Sequence, residues 1–189
     1  ERQHSSLRGA DYERFEATRR LTEGSCLQAK MLWDLQRALD YLATRREVDA
    51  RRIGCLGHSL GGQETLFLSA IDRRIAAGVS SCGFSSYRAI FDAAILHNFA
   101  AYVPGLLRYG DLDRVLGLVA PRPFMVLVGS GDPLFPLDGV QATVRGARRA
   151  YGKARDRLRL EVFPAGHGFP APMREAAYGW FERWLMPRR

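Results

Sequence analysis

The clearest pattern in the chain is a helical spacing of apolar side chains between Leu27 and Ala43. Apolar residues recur there every three or four positions, which places them on one face of an α-helix. They are Met31, Leu35, Ala38, Leu39 and Leu42. The sequence therefore predicts an amphipathic helix that packs this face against a core. The preceding residues, 1–24, are polar and weakly patterned and predict no element.

Short apolar runs follow at 52–57, 75–80 and 124–128. Runs of this length predict strands that are buried on both faces, and the stretch 63–70 predicts a helix between the first two. The run 157–163 differs because apolar and charged residues alternate along it. Such alternation leaves one face in water, which is typical of an edge strand.

A last helix is predicted after Pro172, since proline is favoured at the first position of a helix. Its apolar face comprises Met173, Ala177, Trp180, Phe181 and Trp184. Strands that alternate with helices predict an α/β fold, in which a parallel sheet is covered by helices on both faces. With right-handed crossovers, about four strands make half of a doubly wound sheet. We treat residues 1–189 as a single domain.

Residues 85–120 are less regular than the rest of the chain and are rich in aromatic side chains. Two interpretations stay open for this segment. It forms helical packing in the core, or it forms a cap or wall over a substrate pocket.

The chain has a net charge of +8, which comes almost entirely from arginine. The arginines occur as scattered pairs and form no single basic stripe, so we expect no nucleic-acid partner. There is no run of about 18 uncharged apolar residues, so we expect no membrane span. The cysteines and histidines show no metal-ligand spacing. We therefore expect neither a metal nor a cofactor.

Residues 57–61, with the sequence GHSLG, match the pattern G-x-S-x-G. The pattern alone is weak evidence. Here it begins where a predicted strand ends and finishes where a predicted helix begins, which is the context of a nucleophile elbow. We therefore predict that Ser59 is a catalytic nucleophile.

A sharp turn of this kind needs neighbours that lack a Cβ atom. We expect Gly57 and Gly61, with Gly62 beyond them, to provide that clearance. The backbone N–H of Leu60, directly after the nucleophile, is the expected oxyanion-hole donor. The positive end of the helix dipole adds to its effect.

A serine hydroxyl needs a general base, and His167 is the predicted one. His167 follows the fourth predicted strand, at the carboxyl end of the sheet, where ligands bind in such folds. His97 is the alternative, but it lies inside the 85–120 segment. The side chain of His58 is expected to leave the turn in a different direction from that of Ser59, as a packing residue or pocket wall.

The acid that orients the base is predicted to be Asp132. It is the first carboxylate after the third predicted strand and lies in a turn rich in glycine and proline. Its role would be to hold the tautomer of the histidine and to stabilise the imidazolium. Asp138 is the alternative, although it fits better as the N-cap of a helix that starts near Gly139.

Three motifs, at residues 57–62, 129–133 and 166–168, resemble the α/β-hydrolase superfamily. The chain is most similar to the branch of dienelactone hydrolases, acetyl xylan esterases and prolyl-oligopeptidase-type domains. The segments 33–42 and 120–123 resemble the helix before the elbow and the turn before the acid strand in that branch. Dienelactone hydrolases themselves use a cysteine nucleophile, and Ser59 departs from that.

The resemblance implies hydrolysis of a small-molecule carboxylic ester through an acyl-enzyme formed on Ser59. Two alternatives stay open. One is a serine peptidase of the prolyl-oligopeptidase type, and the other is a non-catalytic fragment or interaction domain.

The resemblance also implies strands before the elbow helix, and residues 1–24 contain no apolar strand followed by an H-G-G-like loop. We therefore expect an N-terminally truncated chain whose second oxyanion donor lies upstream. The elbow strand would then lack a neighbour on one side. An exposed sheet edge of this kind predicts self-association.

Overall fold

A computed structural model describes residues 6–186, and the predicted domain, 1–189, extends past both ends of this range. The helices are α1 (Gly9–Thr22), α2 (Leu27–Ala43), α3 (Leu60–Ile71), α4 (Tyr87–Asp92), α5 (Leu112–Gly117), α6 (Leu137–Tyr151) and α7 (Ala171–Leu185). The strands are β1 (Ile53–His58), β2 (Ile75–Ser81), β3 (Phe124–Gly129) and β4 (Leu158–Phe163). Short 3₁₀ turns occur at Phe99–Ala101, Leu106–Arg108 and Gly152–Arg157.

The four strands form one parallel sheet in the order β1-β2-β3-β4. Each predicted strand is present, and the parallel α/β fold is confirmed. β4 lies at one edge of the sheet, as its alternating pattern predicted, and β1 lies at the other. Because all strands run in one direction, their carboxyl ends lie at the same end of the sheet. The turns that follow β1, β3 and β4 therefore meet there.

Two glycines show that helices cover both faces of the sheet. A Cβ on Gly54 of β1 would lie 2.7 Å from Leu185 Cδ1, so α7 covers that face. A Cβ on Gly78 of β2 would lie 3.0 Å from Ser69 Oγ, so α3 covers the face to which Gly78 points. Gly78 pairs with Cys55, the residue after Gly54, and successive residues of a strand point to opposite faces.

The hydrophobic core lies between the sheet and these helices. Leu66 of α3, Val79 of β2, Phe124 and Leu127 of β3, and Met173 of α7 are fully buried. Burying a side chain of this size contributes roughly 1.5–3 kcal/mol. The core therefore fixes the strands that carry the candidate site.

Helix α1 was not predicted, and its residues explain why. Ala17 is its one buried residue, so the apolar periodicity that reveals a packed helix is weak. Its polar face is joined instead by ion pairs one turn apart, from Arg19 to Glu16 and to Glu23, each at 2.8 Å. Such pairs support a helix without an apolar stripe.

The segment 85–120 contains α4, α5 and two 3₁₀ turns. Its second half joins the core, since Leu112 and Leu116 of α5 are fully buried. Its first half is mixed, since Tyr87 and Ile90 of α4 are buried whereas Leu96 is 90% exposed. Packing in the core therefore describes both α4 and α5, whereas the stretch around Leu96 lies at the surface. Within residues 6–186, no helix combines the length and apolar character that crossing a membrane requires.

Candidate active site

Ser59 lies at the sharp turn between β1 and α3. Its backbone has φ 56° and ψ −125°, a conformation that non-glycine residues rarely adopt. Such a conformation costs on the order of 1–3 kcal/mol and occurs mostly at functional sites. The surrounding packing holds it, because the N–H of Ser59 donates to the Ser81 carbonyl at 2.9 Å. This is the geometry of a nucleophile elbow.

Of the three glycines expected to give clearance at the turn, Gly57 and Gly62 do so and Gly61 does not. A Cβ on Gly57 would lie 1.9 Å from the Gly61 carbonyl oxygen, and one on Gly62 would lie 2.9 Å from Gly83 Cα. Both positions therefore require glycine. A Cβ on Gly61 would have no atom within 4 Å. The expectation that Gly61 provides clearance through its own missing Cβ is wrong, since only its backbone lies close to the turn.

Asp132 and His167 lie on neighbouring loops that are hydrogen-bonded to each other. The N–H of Ser130 donates to the Phe163 carbonyl at 2.8 Å, and the N–H of Gly131 donates to the Ala165 carbonyl at 3.0 Å. These loops follow β3 and β4, which are adjacent in the sheet. Strand order thus brings the two predicted residues to the same place.

The structure brings Ser59, His167 and Asp132 into one hydrogen-bonded chain. His167 Nδ1 lies 3.0 Å from Asp132 Oδ2, and His167 Nε2 lies 2.9 Å from Ser59 Oγ. Because a carboxylate accepts only, Nδ1 carries the proton and Nε2 accepts from the serine hydroxyl. The side chain of Asp132 is fully buried, whereas that of His167 is 21% exposed. This arrangement can deprotonate a serine as it attacks a carbonyl.

Leu60 is the first residue of α3, directly after Ser59. The N–H groups of a helix's first turn have no partner within the helix, and they carry the positive end of its dipole. The N–H of Leu60 is therefore available to a negatively charged oxygen formed beside Ser59.

The alternative residues, His97 and Asp138, are hydrogen-bonded to backbone groups. His97 Nε2 lies 3.0 Å from the Leu134 carbonyl oxygen, so it is occupied by a backbone acceptor. Asp138 is exposed, and its Oδ1 accepts from the N–H of Gly139. Helix α6 begins at Leu137 after Pro136, so Asp138 lies in the first turn and is not the N-cap that was predicted.

Two aromatic rings pack against His167. Its ring centroid lies 5.0 Å from that of His58 and 5.8 Å from that of Phe135. His58 Nδ1 lies 3.1 Å from Ser81 Oγ, and its ring stacks on Phe169 at 5.9 Å. Burial lowers the pKa of His58, and the nearby His167 lowers that pKa further. His58 is thus a neutral packing residue at neutral pH, in line with the prediction for it.

Cys82, which follows β2, lies against the Asp132–His167 pair. Its Sγ and one ligand atom from each of these two residues lie within 4.8 Å of one another. Thiolate, imidazole and carboxylate are ligands that a zinc ion takes. However, burial raises the pKa of the Cys82 thiol, and Asp132 and His167 are already bonded to each other. The geometry therefore favours a packing role for Cys82.

A buried polar network lies behind the elbow and was not predicted. Glu64 Oε2 accepts from Gln28 Nε2 at 2.9 Å, while Glu64 Oε1 has no hydrogen-bond partner among the described residues. Gln63 Nε2 donates to the Ala101 carbonyl at 2.6 Å. Burial raises the pKa of Glu64 to about 7, against the opposing effect of the Gln28 bond. The available signal was a Gln-Glu pair inside a stretch predicted to be a packed helix.

Comparison with known protein families gives one match of almost full length. Residues 7–180 match the Dienelactone hydrolase family. The chain belongs to the dienelactone hydrolase family. The sequence resemblance to this branch of the α/β-hydrolases is therefore confirmed.

Individual relatives are longer than this chain. It is 32% identical over 169 residues to YtaP of Bacillus subtilis (strain 168), which covers 87% of the chain and 56% of YtaP. It is 37% identical over 139 residues to the carbohydrate esterase MZ0003 from an unknown prokaryotic organism, which covers 65% of the chain and 32% of that relative.

Among solved structures, a glucuronoyl esterase from Solibacter usitatus has a similar fold. The TM-score is 0.70 at 21% identity, and the match covers 82% of this chain and 48% of that one. At this identity the likeness concerns the fold alone. The chain spans about half the length of YtaP and of this esterase.

Proposed function

We propose that this protein is a serine esterase that hydrolyses carboxylic esters through Ser59, His167 and Asp132. One observation carries the proposal. The Ser59 hydroxyl, the His167 imidazole and the buried Asp132 carboxylate are joined by hydrogen bonds of 2.9 and 3.0 Å. The three turns that carry them meet at the carboxyl end of the sheet. The strained turn at Ser59 supports it, because backbone strain at a non-glycine residue is typical of a functional position.

In the first half of the reaction, Ser59 Oγ attacks the ester carbonyl carbon while His167 Nε2 takes the hydroxyl proton. The carbonyl π electrons move to the oxygen, which becomes an oxyanion that the N–H of Leu60 stabilises. The buried carboxylate of Asp132 stabilises the imidazolium. The carbonyl then re-forms, His167 returns its proton to the leaving alcohol, and an acyl group remains on Ser59.

In the second half, water replaces the alcohol. His167 Nε2 takes a proton from the water as its oxygen attacks the acyl carbon. Collapse of the second tetrahedral intermediate returns that proton to Ser59 Oγ and releases the carboxylic acid. The protein is then unchanged.

Carbohydrate esters are the first substrates to test. The supporting facts are the 37% identity to a carbohydrate esterase and the fold shared with a glucuronoyl esterase. An acetylated sugar and an alkyl ester of glucuronic acid place the carbohydrate on the alcohol side and on the acyl side, respectively. An aminoacyl p-nitroanilide tests peptide hydrolysis, the alternative left open by the sequence.

The decisive experiment compares two serine variants on p-nitrophenyl acetate and these substrates. Ser59→Ala should lower kcat by about 10³-fold or more, since the members of a triad act as a unit. Ser130→Ala is the matched control, because Ser130 is an exposed serine in the loop that carries Asp132. It should keep the activity of the wild type. A Ser59→Ala variant that retains more than a tenth of the wild-type rate contradicts the proposal.

A further inference from the structure

Three of the four histidines of the sequence lie in one row of rings that passes through the candidate site. The rings of His58 and Phe135 flank His167, and the ring of His97 stacks on Phe135. The centroids of His97 and Phe135 are 4.6 Å apart and the two planes are only 17° apart. His97 thus contacts the ring that packs against His167.

A chain of hydrogen bonds also connects His97 to the acid. His97 Nε2 lies 3.0 Å from the Leu134 carbonyl, and a carbonyl only accepts, so Nε2 carries the proton. The N–H of Leu134 donates in turn to Asp132 Oδ1 at 2.9 Å. The other oxygen of Asp132 accepts from His167 at 3.0 Å. His97 therefore holds Leu134, whose N–H orients Asp132.

We propose that His97 is a positioning residue, which fixes the Asp132–Phe135 turn and thereby holds His167 in line with Ser59. This inference rests on the proposed esterase function. In this role, the first half of the 85–120 segment forms a wall beside the loop that carries Asp132. Neither the triad motif nor helical spacing marks His97.

The position of His97 explains why its loss would affect catalysis. Leu134 and Phe135 lie in a turn outside regular structure, so side chains must hold them. Without the imidazole, the Leu134 carbonyl loses its side-chain donor and the buried ring of Phe135 loses the ring stacked on it. Phe135 and Asp132 could then shift, and His167 with them. Displacement of a catalytic group by about 1 Å can cost about 10²-fold in rate.

Burial also keeps His97 in the form that the hydrogen bond requires. Burial lowers the pKa of its imidazole, and the bond to Leu134 acts in the opposite direction. His167 and Asp132 are the titratable groups that act on it, with opposite effects. A neutral imidazole with its proton on Nε2 is therefore the form present near pH 7.

The test measures kcat and KM for hydrolysis of p-nitrophenyl acetate by the wild type and three variants at position 97. His97→Ala removes both contacts, His97→Phe keeps a ring but no donor, and His97→Gln keeps an N–H donor at similar reach. Leu96→Ala is the control, since the side chain of Leu96 is 90% exposed in the same segment. Thermal unfolding of each variant identifies any that fail to fold.

We expect His97→Ala to lower kcat about 10- to 100-fold with KM within about threefold of wild type, as for a misplaced catalytic group. His97→Phe should behave like His97→Ala, while His97→Gln should recover most of the lost kcat. Leu96→Ala should match wild type. If His97→Ala proves unstable, the contrast between the glutamine and phenylalanine variants decides.

Three results would overturn the inference: a kcat for His97→Phe within twofold of wild type, a loss that appears in KM alone, or an equal loss in Leu96→Ala. Including Ser59→Ala separates this inference from the function on which it rests. If Ser59→Ala is inactive and the position 97 variants are fully active, the positioning role fails and the esterase proposal stands. If Ser59→Ala is active, the esterase proposal fails, and the positioning role that rests on it fails with it.

Discussion

Replacing Glu64 with glutamine should stabilise the protein at neutral and alkaline pH. Glu64 is 6% exposed, its Oε2 accepts from Gln28, and its Oε1 has no partner among the described residues. An ionised carboxylate there is poorly solvated, which is why burial raises its pKa. Glutamine has nearly the same shape and can still accept from Gln28, but it never carries a charge.

The size of the effect follows from the pKa. The pKa of a glutamate is ordinarily 4.5, and that of Glu64 in the folded protein is about 7. Between these values the folded state holds a proton that the unfolded state has lost, so stability falls as pH rises. Below pH 4.5 the contribution is fully present, and above pH 7 it is lost. A difference of this size is worth on the order of 3 kcal/mol.

Urea unfolding between pH 4.5 and 8, followed by circular dichroism, measures this difference. We expect Glu64→Gln to match wild type near pH 4.5 and to exceed its unfolding free energy by about 1–3 kcal/mol at pH 8. Glu175→Gln, at an exposed position of α7, is the control and should track wild type. A Glu64→Gln variant that is no more stable than wild type at pH 8 would show that the buried carboxylate does not destabilise the folded protein.

Two further predictions concern the elbow and the sheet edge. Gly57→Ala should cost at least about 10²-fold in kcat, because its Cβ would collide with the Gly61 carbonyl 1.9 Å away. Gly61→Ala should keep activity within about twofold and gain up to about 1 kcal/mol of helix stability; equal losses in both variants would contradict the packing argument. We also predict that the free edge of β1 supports self-association, and that Leu56→Lys on that strand shifts the protein toward monomer in size-exclusion chromatography. An unchanged elution volume for the variant would count against a role for that edge.

Much of the fold could be predicted because hydrophobic pattern and burial agree. Helix α2 has the predicted bounds, Leu27–Ala43, and each strand lies within two residues of its predicted range. Helix α1 could not be predicted, because ion pairs rather than a buried apolar face support it. Its sequence therefore shows only weak apolar periodicity. Asp138 is not the N-cap that its residue type suggests, because the helix begins at Leu137, two residues before the predicted start near Gly139.

The meeting of Ser59, Asp132 and His167 could be predicted from topology. Each follows a strand of a parallel sheet, and the turns after the carboxyl ends of parallel strands lie together at one end of the sheet. The contacts that surround them could not be predicted. The stacking of His97 on Phe135 and the bond between Gln28 and Glu64 join residues about 35–40 positions apart. Periodicity indicates which face of an element is buried, but not which side chains of different elements and loops meet there.

The proposed function depends on Ser59 acting as a nucleophile that His167 and Asp132 activate. The most direct measurement is labelling of the folded protein with a fluorophosphonate, followed by peptide mass spectrometry to locate the adduct. We expect one phosphonylated residue, Ser59, with a labelling rate that falls at least about 10²-fold in Asp132→Asn. An adduct on another serine, or an undiminished rate in Asp132→Asn, would contradict this expectation.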